Sequence, residues 1–131
     1  MKISNKAKKV STTGFVKHIG GIDFKVINEN SFEFTAKVQS FNLNSKGISH
    51  GGYIAAILDN GMGTSAHYVI GEKVCVTISL DIKFIGVSKE NQILFGKVKV
   101  NRKTNSLVFV NAELFESKNL IATASGVWKI I

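Results

Sequence analysis

Residues 50–69 read HGGYIAAILDNGMGTSAHYV, and the reading of this stretch decides the fold. Ile54, Ile57, Leu58, Gly61, Met62 and Ser65 recur at three- and four-residue spacing, so they share one broad face of a helix expected over 53–68. Ala55, Ala56, Met62, Gly63 and Ala66 surround Asp59 at the same spacing, which leaves almost no charged face. A helix apolar nearly all round belongs in an interior, and its small residues let another backbone approach closely. Asp59 is then a carboxylate where an unpaired charge is expensive. It reads as a general base or nucleophile, or as a cap or solvent-facing acid at the helix edge, and its position alone leaves both open.

Outward from the helix the period changes to two. Upstream, two strand-like runs over 22–27 and 32–38 flank Asn28-Glu29-Asn30-Ser31, a hairpin turn. A polar loop with Asn42, Asn44, Ser45 and Gly47 then leads into the helix. Downstream, Val74, Val76, Ile78, Leu80, Ile82 and Phe84 alternate with Cys75, Thr77, Ser79, Asp81 and Lys83, a strong strand signature. Runs over 93–100, 107–115 and 120–130 follow, broken by turns too short for anything but antiparallel neighbours. Residues 1–13 read as a polar lead-in, frayed or briefly helical. The order strand, strand, helix, four strands gives an α+β architecture, one long helix covering a mostly antiparallel sheet in a single domain over 1–131.

Composition narrows the function classes. With 44% hydrophobic and 20% charged residues the chain is of ordinary globular make-up. The stretch over 53–70 carries Asp59, Asn60, His67 and glycines, so no membrane span is expected, and the lysine-bearing N-terminus lacks the apolar block of a secretory signal. A cytoplasmic location is the resulting expectation. Seventeen basic residues against nine acidic give +8, yet Arg102 is the only arginine and the lysines are scattered. Nucleic-acid recognition favours arginine for bidentate contacts, so a solvated basic surface or attraction to an anionic small molecule fits better. Cys75 is the only cysteine. It cannot form an intrachain disulfide, no histidine stands beside it in sequence, and it reads as a buried, inert thiol. No metal-ligand spacing occurs, and no cofactor is expected.

The helix start carries the second chemical feature. Gly51 and Gly52 are expected to present free backbone N–H groups at the positive end of the helix dipole, an oxyanion site that a substrate carbonyl can approach. His50-Gly51-Gly52 also fits a plain tight entry turn. Asp59 lies eight residues beyond Gly51, about 12 Å along a helix axis, so one carbonyl cannot touch both. If the two belong to one active site, the carboxylate comes from a second copy of the chain packed across a two-fold axis.

The spacing Asn44-x5-His50-Gly51-Gly52 with Asp59 nine residues after the histidine resembles the hotdog-fold thioesterases, specifically the PaaI-like (phenylacetate-pathway) acyl-CoA branch. The helix, the following VTISLDIKFI and the closing ATASGVW extend the resemblance from about Gly20 to Trp128. It implies a helix wrapped by a curved antiparallel sheet, homodimers and commonly homotetramers, and active sites at the dimer interface that hydrolyse acyl-CoA to free acid and coenzyme A. Coenzyme A enters only as part of the substrate.

The resemblance also implies residue roles. Gly51 gives its N–H to the thioester carbonyl, His50 supports that turn, and Asn44 positions the carbonyl or the water. Asp59 attacks or activates water across the interface, with Thr77 helping to hold that water. Gly52, Met62 and Gly63 are expected to line the substrate site. Relatives carry an arginine-proline pair after the phenylalanine of the post-helix strand, where this chain has Phe84-Ile85-Gly86-Val87, so phosphate contacts fall instead to Lys83, Lys89, Arg102 or Lys103. A non-catalytic acyl-CoA binding or sensing module and a hotdog hydratase or dehydratase are the competing readings. The first tolerates loss of Asp59, and the second more often carries a proline-bearing loop, while this chain has no proline.

Overall fold

The computed structural model describes residues 6–10 and 12–131; residues 1–5 and 11 of the expected lead-in lie outside the described residues. Chain order is β1 (Lys8–Val10), α1 (Gly14–His18), β2 (Ile22–Val26), β3 (Ser31–Lys37), a 3-10 turn (Ser40–Asn42), α2 (Gly51–Ile70), β4 (Cys75–Phe84), β5 (Ile93–Lys103), β6 (Leu107–Glu116) and β7 (Asn119–Ile130). The sheet runs β1-β2-β3-β5-β6-β7-β4 with every pair antiparallel. This is the α+β hotdog architecture, one long helix wrapped by a curved sheet. The lead-in differs from its reading as frayed or helical: Lys8–Val10 adds a short edge strand by pairing with Ile22–Phe24.

Alternation along the strands builds the core. In β2 and β3, Ile22, Phe24, Val26, Phe32, Phe34 and Ala36 point inward and are buried, while the residues between them face out. The helix contributes Ile54, Ile57, Leu58, Gly61, Met62 and Ser65, all buried, which is the face that the helical spacing marks. Small residues on α2 serve aromatic rings of the same chain. The Phe34 ring lies against both Gly61 of α2 and Gly96 of β5, where a Cβ at either glycine would overlap it. The close approach that the helix's small residues allow is taken at Gly61 by a ring from β3.

β4 departs from a single alternating face. It is an edge strand paired only with β7, and its register shifts between Thr77 and Ser79. Thr77 pairs with Trp128 and Leu80 with Gly126, so the bulge at Ile78 keeps both Thr77 and Leu80 on the helix side. Val74, Val76 and Ile78 consequently stay exposed, at 54%, 43% and 54%. The phase change turns a polar threonine toward α2 and an apolar run toward the sheet's free edge.

On the outer face, Lys97 of β5 pairs laterally with Glu33 and Glu113. Opposite charges alternate there rather than forming a basic stripe. Among the described residues, no helix is long and apolar enough to cross a membrane.

Candidate active site

Two clusters gather at different places on α2. At its start, His50 is the N-cap: its Nδ1 accepts the Gly52 N–H at 2.8 Å, and its carbonyl accepts from Tyr53 and Ile54. This corrects the expectation of two free donors, because Gly52 is occupied by the cap. The Gly51 N–H meets no acceptor among the described residues. Tyr53, 6% exposed, anchors the first turn, and burial pushes its phenol up to about 12.

The Gly51 donor opens on an apolar cavity of about 310 Å³ lined by Asn44, Ile54, Phe84, Val87 and Ile121. Its wall at Ser49 is fixed by the buried Ser88, whose hydroxyl donates to Ser49 Oγ at 2.7 Å and whose carbonyl accepts the Ser49 N–H. Asn44 shapes the entry loop: its Oδ1 accepts from the N–H groups of Lys46 and Ile48, at 2.9 and 3.3 Å. Its amide Nδ2 donates to no acceptor among the described residues, which leaves an unused donor on a residue that lines the cavity.

The second cluster is centred on Asp59. Thr77 Oγ1 of β4 donates to Asp59 Oδ1 at 2.7 Å. Asp59 is half-buried rather than enclosed, because the strand beside it is the exposed edge. One turn further, Gly63 faces the indole of Trp128, with a would-be Cβ 3.2 Å from Nε1. Two turns on, His67 reaches β4 again: its Nε2 accepts the Cys75 N–H at 3.3 Å and its Nδ1 lies 3.5 Å from Cys75 Sγ. The histidine missing beside Cys75 in sequence is therefore supplied by the fold. The thiol is still not activated, since it is 4% exposed and burial pushes its pKa up.

Not every expected residue joins these clusters. Met62 is fully buried in the core, where it shares the packed strip of the helix with Leu58 and Ser65, so it does not reach the surface beside Asp59. Lys83 lies on the outer sheet face, bound to Asp81 at 2.6 Å. Lys89 is exposed next to Ser88 at the cavity wall. Arg102 and Lys103 are exposed at the end of β5.

A larger hollow of about 830 Å³ on the outer face borders Lys83, Lys97 and Lys99 but also Asp81, Glu33 and Glu113. With its charges balanced and neither Asp59 nor Gly51 in its wall, it is a poorer candidate than the smaller cavity.

Residues 46–122, which span the helix start, Asp59, Thr77 and the cavity wall apart from Asn44, match the family model for the thioesterase superfamily. The chain belongs to the thioesterase superfamily. A supposed esterase of Pseudomonas aeruginosa is 26% identical over 95 residues, covering 72% of this chain and 71% of that protein. The PaaI protein from the phenylacetic acid degradation operon of E. coli superposes with a TM-score of 0.80 at 19% identity, over 88% of this chain and 83% of its own. A hypothetical thioesterase of Streptococcus pneumoniae, solved with coenzyme A, superposes with a TM-score of 0.77 at 17% identity, over 85% and 89%. The hotdog fold is common to these thioesterase-superfamily structures and this chain.

Proposed function

We propose that this protein hydrolyses acyl-CoA thioesters in a site shared by two copies of the chain, Asp59 of one facing Gly51 of the other. The observation that carries the reading is the division of labour along α2. A carboxylate oriented by Thr77 stands about 12 Å from an unpartnered N–H that opens on an apolar cavity. Neither half can act alone on one carbonyl. The exposed edge of β4, with Val76 and Ile78 uncovered, supplies a surface on which a second copy would bring the halves together.

In this mechanism the thioester carbonyl oxygen accepts from the Gly51 N–H, with the Asn44 amide positioned beside it. Asp59 takes a proton from water as the water oxygen attacks the carbonyl carbon. Negative charge moves onto the carbonyl oxygen and meets the preoriented donor. Collapse breaks the C–S bond, and the departing thiolate recovers the proton, giving free acid and coenzyme A. A thiolate with a pKa near about 8.5 leaves without a strong general acid, which suits a site with few titratable groups. Lys89, exposed and next in the chain to the lining residue Ser88, is the lysine we assign to a phosphate of the coenzyme. The coenzyme A bound by the Streptococcus pneumoniae structure supports this substrate class.

The test is release of free thiol from a panel of aryl, short-chain and long-chain acyl-CoA thioesters by the intact protein and by Asp59→Asn. Turnover that collapses in the variant is expected. Binding of acyl-CoA without turnover on any thioester would replace this reading with that of a binding module.

A further inference from the structure

Trp128 is 1% exposed, yet its indole N–H donates to no acceptor among the described residues. Its surroundings show where that donor opens. Trp128 pairs with Thr77 across β7 and β4, which puts the two side chains on the same face as close neighbours. Thr77 holds Asp59, and Gly63, whose missing side chain exposes Nε1, stands one helical turn beyond Asp59. Asp59, Gly63 and His67 follow one another at four-residue spacing on α2, and the first and last of them each clasp β4. Gly63 between them leaves a gap floored by the indole.

We propose that the Trp128 N–H is a further hydrogen-bond donor of the Asp59 site, holding the oxygen of the attacking water over Gly63. This inference rests on the thioesterase reading of Asp59. An indole N–H can only donate, so its partner is an oxygen lone pair. Water giving its proton to Asp59 has such a lone pair free. Phenylalanine would fill the core at this position without leaving a donor to be satisfied, and an unmet buried donor is costly. Gly63 enters as the residue whose lack of a Cβ keeps the donor accessible.

The experiment pairs kinetics with a spectroscopic readout, which is simple because Trp128 is the only tryptophan. Trp128→Phe is expected to lower kcat about three- to tenfold, the loss of one neutral hydrogen bond, with KM changed by less than about twofold. In the intact protein, the single indole 1H–15N resonance is expected to shift on adding phenacyl-CoA, a thioether that cannot be hydrolysed, and again in Asp59→Asn. Unchanged kcat in Trp128→Phe, or an indole resonance indifferent to both perturbations, overturns the proposal. The resonance arm also decides should Trp128→Phe fail to fold. If the intact protein hydrolyses no thioester, the thioesterase reading falls by itself, and an indole resonance unmoved by phenacyl-CoA then removes this proposal as well.

Discussion

Thr77 Oγ1 lies 2.7 Å from Asp59 Oδ1, and this hydrogen bond ties the middle of α2 to the bulged end of β4. The hydroxyl fixes one carboxylate oxygen and leaves the other free to meet water. Asp59→Asn is expected to reduce kcat by about 10²- to 10⁴-fold, the range for loss of a positioned base. Thr77→Val keeps the β-branched shape and removes only the donor. It is expected to cost about 10- to 100-fold in kcat, as for a hydrogen bond to a charged group. Steady-state thiol release checks both, and full activity in Thr77→Val would show that the carboxylate needs no partner.

Gly51 offers a way to delete a backbone donor while sparing the helix. It is the first residue of α2, where proline is well accommodated, and His50 before it has φ −65° and ψ 136°, the conformation that precedes proline comfortably. Gly51→Pro is expected to unfold at a temperature near that of the parent and to lose about 10²- to 10³-fold in kcat. Mixing it with Asp59→Asn after joint refolding supplies a sharper check. In a two-fold dimer each mixed pair has one intact site, so activity is expected to return to about a quarter of the parent's. No recovery would place both groups in one chain's site.

Tyr53 connects the same helix start to pH. Burial raises its folded pKa to about 12 from 10.0, so the folded state favours the neutral phenol. The stability this contributes is fully present below pH 10 and is lost as pH rises from 10 through about 12. Tyr53→Phe cannot ionise there. Over that window the melting temperature of the parent is expected to fall more steeply than that of the variant, and parallel curves would contradict the burial.

Cys75 should resist thiol reagents in the folded protein. It is 4% exposed, and burial holds its pKa above 9.0, which depletes the thiolate at neutral pH despite His67 3.5 Å away. Modification is expected to follow local unfolding and to become fast only in denaturant. Rapid labelling under native conditions would mean that the clasp between His67 and the start of β4 is open much of the time.

Much of this was legible in the residues because it repeats. The buried face of α2 follows from its helical spacing, and the hairpin of β2 with β3 follows from two alternating runs around Asn28-Glu29-Asn30-Ser31. Features set by a single long-range contact were not legible. β1 is three residues whose strand identity comes wholly from pairing with β2. The bulge at Ile78 leaves the run over 74–84 looking like uninterrupted alternation, and only the register with Trp128 and Gly126 shows the change of phase.

The candidate site divides in the same way. Asp59, Gly51 and His50 stand out by local pattern, whereas the loss of Gly52 as a free donor depends on where one imidazole nitrogen points. Met62 stands three residues from Asp59 on a neighbouring strip of the helix, and spacing alone does not show that the strip at 62 is covered by the core while the one at 59 stays half open. The signal that pointed to Trp128 was available but faint: a lone tryptophan, two residues after a glycine, in the closing strand.

The Phe34 ring between Gly61 and Gly96 binds three distant positions into one unit of inheritance. A side chain gained at 61 or 96 is barred while the ring stays. A smaller residue at 34 leaves a void until one of the glycines grows to fill it. Neutral drift at these sites therefore has to proceed through a less stable intermediate. In the laboratory, a designer who wishes to reshape the helix beneath the candidate site must change the three together or leave them alone.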